Sequence, residues 1–413
     1  MGRAGCRAPR QMSTHSYLLS ISHSVFERCL GSLLSESVRS ILLPAGICRL
    51  SDRTEFLAAR MPNAEAAVDP SLPTAVIRTT TSPQGLFLSM PSGTSPGQRG
   101  TAVMTIGLGP VSGRFTAVCF SSRGPRQIES VRVVGAGMPS LRFLQRGNEL
   151  PPSAEAQIWS RTIGALGHRT WRTLRDLHIA IIGCGRSGSI VAHSLARFGL
   201  RQLTLIDGDR MEIHNLGEMD LATFADLGSS KAGALQNHLR QDAPHTEVAT
   251  VSESAISPRA LVAFKRADLV VSCVDNGLAR LTTAILAKLY LRPLLDIGTG
   301  VIGGGDARVM GADIRLVLPD RCLLCFGGLV DDMAARSGFL RAGAGQELPP
   351  PPDWHERRAG SLRSLNQVAV GIALRMLEDF VDARIAESNW IHLTFGANGT
   401  PALEQRSPTP SRD

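Results

Sequence analysis

The stretch Leu177–Ile190, LHIAIIGCGRSGSI, decides how this chain folds. LHIAIIG is a continuous apolar run of the kind found in a strand covered on both faces of a parallel sheet. Gly183-Cys-Gly185-Arg-Ser-Gly188 follows it directly and opens a helix expected over Ser187–Gly199. In that context the G-x-G-x-x-G spacing has a physical meaning. Two glycines let the backbone turn tightly and approach a phosphate or sugar, the third lets helix and strand pack closely, and the helix start offers free N–H groups to an anion. The motif alone does not choose between NAD, FAD and ATP.

Working outward, strands are expected at Gln202–Ile206, Thr246–Val251, Leu269–Cys273 and Pro293–Ile297, with a helix at Lys231–Gln241. Strand and helix alternate as in an α/β fold, a Rossmann-like, doubly wound, mostly parallel sheet spanning residues 155–400. A Gly/Pro-rich, loop-like segment follows at 337–360, then an amphipathic helix at Leu365–Ile385 and a strand at Trp390–Phe395. Residues 401–413 read as a disordered tail. Upstream, residues 1–65 read as irregular structure plus a helix over Ser24–Leu43. Short apolar pieces at Thr74–Thr80, Leu86–Met90, Thr101–Leu108, Phe115–Ser121 and Ile128–Val134 read as strands between turn residues. Residues 1–150 are therefore expected to form a smaller α+β domain, ending in a polar linker at Arg146–Ala154.

Composition bounds the function. The chain has 413 residues, 43% hydrophobic and 19% charged, which suits two packed domains. Its apolar runs are strand-length, so no transmembrane helix is expected. The net charge of +8 invites a nucleic-acid partner. The arginines, however, are scattered and lack interleaved aromatics, which argues against one. Lysine is scarce: Lys231, Lys265 and Lys288 are the whole set. Six of the eight cysteines stand alone, and only Cys322 and Cys325 form a C-x-x-C, as in a reduced cytoplasmic protein. The acid-free first 26 residues have no continuous apolar core of a targeting signal, so a cytoplasmic location is expected.

Asp207 closes the second strand, where a carboxylate suits a ribose diol. Asp209, Asn215, Lys231 and Asp275 are expected to gather at the carboxyl edge of the sheet. Asp275, directly after the apolar run ending at Val274, should project at a strand tip and can hold Mg²⁺. A lysine there can neutralise a triphosphate as a point charge. That set suits ATP chemistry better than hydride transfer, and no proton-relay histidine accompanies it, so an NAD(P)-binding oxidoreductase is the alternative. Plainer roles exist for each residue: packing for the glycines, a strand-end cap for Asp207, turn positions for Asp209 and Asn215, a solvated helix start for Lys231, and a helix N-cap for Asp275.

From about Ile158 to Gly300 the sequence resembles the ThiF/MoeB/HesA family, the adenylation domain of ubiquitin-activating (E1-like) enzymes. The matching positions are Arg161, Gly183–Ser189, Ile206–Asp209, Asn215-Leu216, Lys231 sixteen residues after Asn215, and Cys273–Asn276 with Arg280. Cys322–Cys325 and Ser361–Leu374 resemble its C-terminal half. The resemblance implies binding of ATP and Mg²⁺ and adenylation of the C-terminal carboxylate of a ubiquitin-like or sulfur-carrier protein, by a homodimer. It implies that Asp207 holds the ribose, that Asp209 and Asn215 support the nucleotide, and that Lys231 neutralises the transferring phosphate. Asp275 would ligate Mg²⁺, and Arg161 would reach a phosphate, across the dimer. One position departs from the pattern. The family continues Asn-Leu-x-Arg-Gln, and here Glu218 replaces the arginine, with Arg210 or Arg186 as compensating charges. A third reading is therefore an inactive, partner-binding E1-like protein.

In many relatives two C-x-x-C pairs bind one zinc ion. Here Cys322 and Cys325 have no second pair, and His355 and His392 lie outside ligand-like spacing, so Zn²⁺ is doubtful and the pair is a vestige, a thioester candidate or a loop-packing element. The N-terminal region weakly resembles a degenerate JAB/MPN domain at Leu88–Pro91 and Ser95–Gln98, with the metal-binding histidines and aspartate missing. The other reading is an unrelated β-rich partner-binding domain.

Overall fold

The computed structural model describes residues 15–34, 40–50, 52–58, 74–80, 101–107, 115–121, 124–138, 140–142, 157–302, 309–319, 321–326, 362–395 and 399–407. The chain divides into two units at residues 145/146, with residues 22–24 and 133–139 counted in the second.

The N-terminal unit carries β1 (Ser16–Ser22), α1 (His23–Leu34), β2 (Ser40–Pro44), β3 (Gly46–Arg49), β4 (Arg53–Ala58), β5 (Thr74–Thr80), β6 (Thr101–Gly107), β7 (Phe115–Ser121), β8 (Gly124–Gln127), β9 (Ser130–Val134) and β10 (Ser140–Arg142). They form two five-stranded sheets, ordered β10-β9-β1-β4-β3 and β2-β5-β6-β7-β8. The α+β expectation holds, with corrections in its first 65 residues. A strand precedes the helix, the helix ends at Leu34, and Ser40–Pro44 pairs antiparallel with β5. Short apolar runs read equally well as helix or strand, and the pairing partner decides. Leu86–Met90 and the JAB-like stretches lie outside the described residues.

The second unit carries α2 (Ser160–Leu166), α3 (His168–Arg175), β11 (His178–Ile182), α4 (Arg186–Phe198), β12 (Gln202–Ile206), α5 (Lys231–Asp242), β13 (Glu247–Val251), α6 (Pro258–Arg266), β14 (Leu269–Ser272), α7 (Gly277–Leu289), β15 (Leu294–Ile302), β16 (Val309–Val317), α8 (Arg363–Val381), β17 (Asn389–Phe395) and β18 (Pro401–Arg406). One eight-stranded sheet runs β13-β12-β11-β14-β15-β16-β17-β18. β13 to β15 are parallel, and β16, β17 and β18 are added antiparallel. The fold is α/β with the Rossmann-like doubly wound order expected. β18 corrects the disordered-tail expectation for Pro401–Arg406. It is exposed throughout and held by its ladder to β17.

Both faces of β11 are buried, as its apolar run requires. Ile179 and Ile181 join Val191, Leu195, Leu235, Leu377 and Phe380 on one side. Ala180 and Ile182 join Phe264, Val270 and Leu281 on the other. β11 is flanked by β12 on one side and β14 on the other. The chain winds out through β12 and β13 and returns beside β11, so the carboxyl ends of β11, β12 and β14 share the switch point where ligands bind in open α/β sheets. Among the described residues no helix is long and apolar enough to cross a membrane.

Candidate nucleotide site

Two of the three glycines are sterically obligatory. Gly183 has φ +87°, and a Cβ there would lie 2.7 Å from the Cys273 carbonyl oxygen. A Cβ on Gly188 would lie 1.8 Å from the Gly183 oxygen, so no side chain fits between loop and helix. Gly185 differs: it caps the start of α4 with φ −73° and faces open space. It leaves the loop's surface clear rather than its packing. Cys184 is buried and Cys273 half-buried behind the loop, and desolvation pushes both thiols well up, which disfavours the thiolate.

Asp207 braces this loop. Its Oδ2 accepts from the Cys184 N–H at 2.7 Å and its Oδ1 from the Asp209 N–H at 2.8 Å. Burial raises its pKa, against the pull of those two hydrogen bonds and of Lys231. Each carboxylate oxygen keeps a further lone pair, so ribose hydroxyls can still donate to it.

A short backbone bridge brings Lys231 to Asp209. Met211 N–H donates to Ser229 O (2.8 Å), Gly228 N–H to Met211 O (2.9 Å) and Lys231 N–H to Asp209 O (3.0 Å). Ser230 caps α5 by accepting from the Gly233 N–H. Lys231 Nζ then lies 2.8 Å from Asp209 Oδ2. Burial acts to lower the lysine's pKa. The hydrogen bond to Asp209 and the negative charges of Asp207, Asp209 and Asp275 outweigh it and hold Lys231 above its ordinary value. Of the four residues expected at this edge, Lys231 is in contact with Asp209 and feels the charge of Asp275, whereas Asn215 is engaged elsewhere. Asp275 is exposed. It is not the cap of α7, because Asn276 takes that place and accepts from the Ala279 N–H at 2.8 Å.

Asn215 is 8% exposed and structural in its visible contacts: its Oδ1 accepts from the Glu212 N–H at 2.9 Å and closes a capping box around the single turn Ile213–Asn215. Glu218 Oε2 is buried without a hydrogen-bond partner. Of its two candidate compensators, Arg210 donates to Gly228 O at 2.6 Å, whereas Arg186, the first residue of α4, carries no side-chain hydrogen bond or ion pair among the described residues. Arg161 lies exposed on α2, and no contact in the chain brings it to this corner.

Sequence reasoning missed the residues that lock the corner. Asn366 of α8 is 1% exposed, and its Oδ1 accepts from Ser187 Oγ at 3.2 Å and Thr299 Oγ1 at 2.7 Å, tying the glycine-loop helix to β15. Asp220 accepts from His193 at 2.6 Å and pairs with Arg363, and its N–H donates to Ser189 Oγ at 2.8 Å. The available signal was a polar residue at an inward position of an apolar helix, as with Asn366.

Among the described residues, no three His, Cys, Asp or Glu side chains gather to hold a metal by themselves. Mg²⁺ does not need such a cage, since one or two carboxylates plus phosphates and water suffice, and Asp275 fits that role. Zinc needs four ligands. The Cys322 and Cys325 sulfurs lie 3.2 Å apart, His392 is held by Asp313 at 2.8 Å, and His355 lies outside the described residues. For the Cys322–Cys325 pair, burial acts upward on both thiols. The Cys322 hydrogen bond and the Arg321 charge nevertheless hold Cys325 below its ordinary value.

Residues 159–336 match the ThiF family. The chain is 34% identical over 176 residues to ubiquitin-like modifier-activating enzyme 5 of Drosophila erecta, covering 39% of this chain and 42% of that protein. It is 30% identical over 216 residues to the adenylyltransferase and sulfurtransferase uba4 of Aspergillus niger, covering 46% and 45%. It is 30% identical over 123 residues to tRNA threonylcarbamoyladenosine dehydratase 2 of Saccharomyces cerevisiae, covering 29% and 28%. The matches span less than half the length of these relatives.

Proposed function

We infer that this chain, which carries a ThiF family domain over residues 159–336, is an E1-like adenylyltransferase that activates a carboxylate with ATP. The acceptor we propose is the C-terminal carboxylate of a ubiquitin-like or sulfur-carrier protein. The observation that carries the reading is the set Lys231, Asp209, Asp207 and Asp275, electrostatically coupled beside a glycine loop at the sheet's switch point. Hydride transfer needs neither the lysine nor the strand-tip carboxylate.

The chain's own groups suffice for positioning and charge. The Gly183–Gly188 loop and the N–H groups at the start of α4 face the phosphates, and Arg186 stands free beside them to supply positive charge lost at Glu218. Asp207 orients the ribose. Lys231 stays protonated and neutralises charge as the carboxylate attacks the α-phosphorus in line and pyrophosphate leaves. Asp275 would hold Mg²⁺, which supplies charge neutralisation on the phosphates. Arg161, with no ion pair among the described residues, would serve a phosphate across a homodimer.

The likeness to a dehydratase of tRNA threonylcarbamoyladenosine supports a second acceptor, a carboxylate carried on tRNA. The purified chain is tested with ATP and Mg²⁺ for pyrophosphate exchange, once with a ubiquitin-like or carrier protein and once with tRNA. Carrier-dependent exchange lost in Lys231→Ala supports the proposal, and exchange with tRNA alone moves it to the second acceptor. Tight nucleotide-independent partner binding with no exchange indicates an inactive adaptor, and NAD binding without ATP binding returns the oxidoreductase.

A further inference from the structure

Asp296 lies on β15 with no exposed surface. An apolar residue there would avoid the desolvation of a buried charge, which is unfavourable unless the charge is paired. The pairing explains its presence. Asp296 Oδ1 is 3.2 Å from Arg280 Nε of α7, and Oδ2 is 3.3 Å from Arg315 Nη1 of β16.

The far end of Arg280 leads to the site. Its Nη2 donates to the Val274 carbonyl at 3.0 Å, the peptide that immediately precedes Asp275. β14 ends at Ser272, so this carbonyl has left the sheet ladder and needs another donor. Gly298 makes room for the arginine, because a Cβ there would approach Arg280 Nη2 to 3.2 Å. The other end of the chain of contacts is equally fixed. Arg315 Nη2 lies 3.1 Å from Asp313, Arg315 Nε donates to Phe326 O at 3.2 Å, and its guanidinium lies 4.8 Å from the Trp390 ring centre. Asp313 in turn accepts from Trp390 Nε1 at 2.7 Å. Three residues along β15, Thr299 makes the bond to Asn366 that secures Ser187. One strand therefore sets both edges of the corner, the glycine-loop helix through Thr299 and the Asp275 tip through Asp296.

We propose that Arg280 and Asp296 are positioning residues that fix the direction of the Asp275 carboxylate and so its hold on a divalent cation. The proposal rests on the reading of Asp275 as the Mg²⁺ carboxylate. Mn²⁺ binding, followed by electron paramagnetic resonance in the presence of a non-hydrolysable ATP analogue, tests it on the full chain. Arg280→Lys keeps a positive charge for Asp296 but lacks the fork that also reaches Val274 O. It is expected to weaken Mn²⁺ about tenfold, the usual scale for a group supporting a metal ligand. KM for the metal–nucleotide should rise, kcat should hold, and excess Mg²⁺ should restore the rate. Asp296→Asn should act in the same direction. Where it unfolds, because buried Arg315 and half-buried Arg280 then share no carboxylate, Arg280→Lys carries the test. Parent-like Mn²⁺ affinity in Arg280→Lys, with loss in Asp275→Ala, overturns the positioning role and leaves the Asp275 reading intact. Parent-like affinity in Asp275→Ala overturns both.

Discussion

The loop leaving β11 and the loop leaving β12 bound the same corner and are held by opposite means. Gly183–Gly188 is fixed by exclusion: at two of its positions a methyl group would collide with backbone. Asp209–Asp220 is fixed by polar side chains: the Glu212–Asn215 box, the Lys231–Asp209 pair and the Asp220 contacts. It also contains a carboxylate oxygen at Glu218 that is buried without a hydrogen-bond partner among the described residues. At Gly183 and Gly188 a sterically fixed loop tolerates no side chain, while Gly185 faces open space. A loop fixed by side chains can change its electrostatics without unfolding, and that is where this chain departs from the ThiF pattern.

The contrast breaks most easily at Gly188. Gly188→Ala is expected to lose about 3 kcal/mol or more, since backbone must move, and urea unfolding checks it; a parent-like midpoint would show the loop is looser than described. Gly185→Ala, facing open space, is expected to leave the midpoint unchanged and alter only nucleotide affinity. Lys231→Ala should cut pyrophosphate exchange by about a hundredfold or more, the scale of a lost charge-stabilising group. Its thermal midpoint should fall only modestly, because Lys231 is 13% exposed but its partner Asp209 is 72% exposed and solvent screens the pair. If Glu218 faces the phosphates of a bound nucleotide, Glu218→Gln should tighten ATP about threefold by removing a negative charge. Equal or weaker binding would mean that Glu218 does not face them.

The smallest effect concerns pH. At Asp220 burial acts upward, but His193 and Arg363 hold the carboxyl below its ordinary range. A depressed folded pKa gives stability that is present above the unfolded value, near pH 4, and is lost as pH falls through the folded one. Asp220→Asn should therefore flatten the loss of stability below about pH 4 and leave neutral pH behaviour alike in slope. An unchanged acid limb would remove Asp220 from that account.

Much of the second unit was legible because its signals are local. LHIAIIG has the period of a doubly buried strand, and the glycine spacing fixes the turn that follows. Lys231 stood out through its rarity and its distance from Asn215. The N-terminal unit was less legible. Ser40–Pro44 is apolar enough for either helix or strand, and only β5 made it a strand. Pro401–Arg406 has no burial pattern at all and is a strand through its ladder to β17. The plainer role weighed for Asp275, the cap of α7, falls to Asn276 one residue on, because Asp and Asn cap equally well and the backbone geometry decides between them.

The sequence by itself determined the α/β class, the glycine loop and the identity of the charged residues near the nucleotide corner, since periodicity, steric limits and residue chemistry are properties of short segments. The tertiary structure decided which charges are free and which are spoken for. It left Asp275 exposed and Arg186 unpaired, engaged Arg210 and Asn215 in local bonds, and buried Asp296 between two arginines. Such pairings join residues from different strands and helices, and only the sheet order brings those elements together.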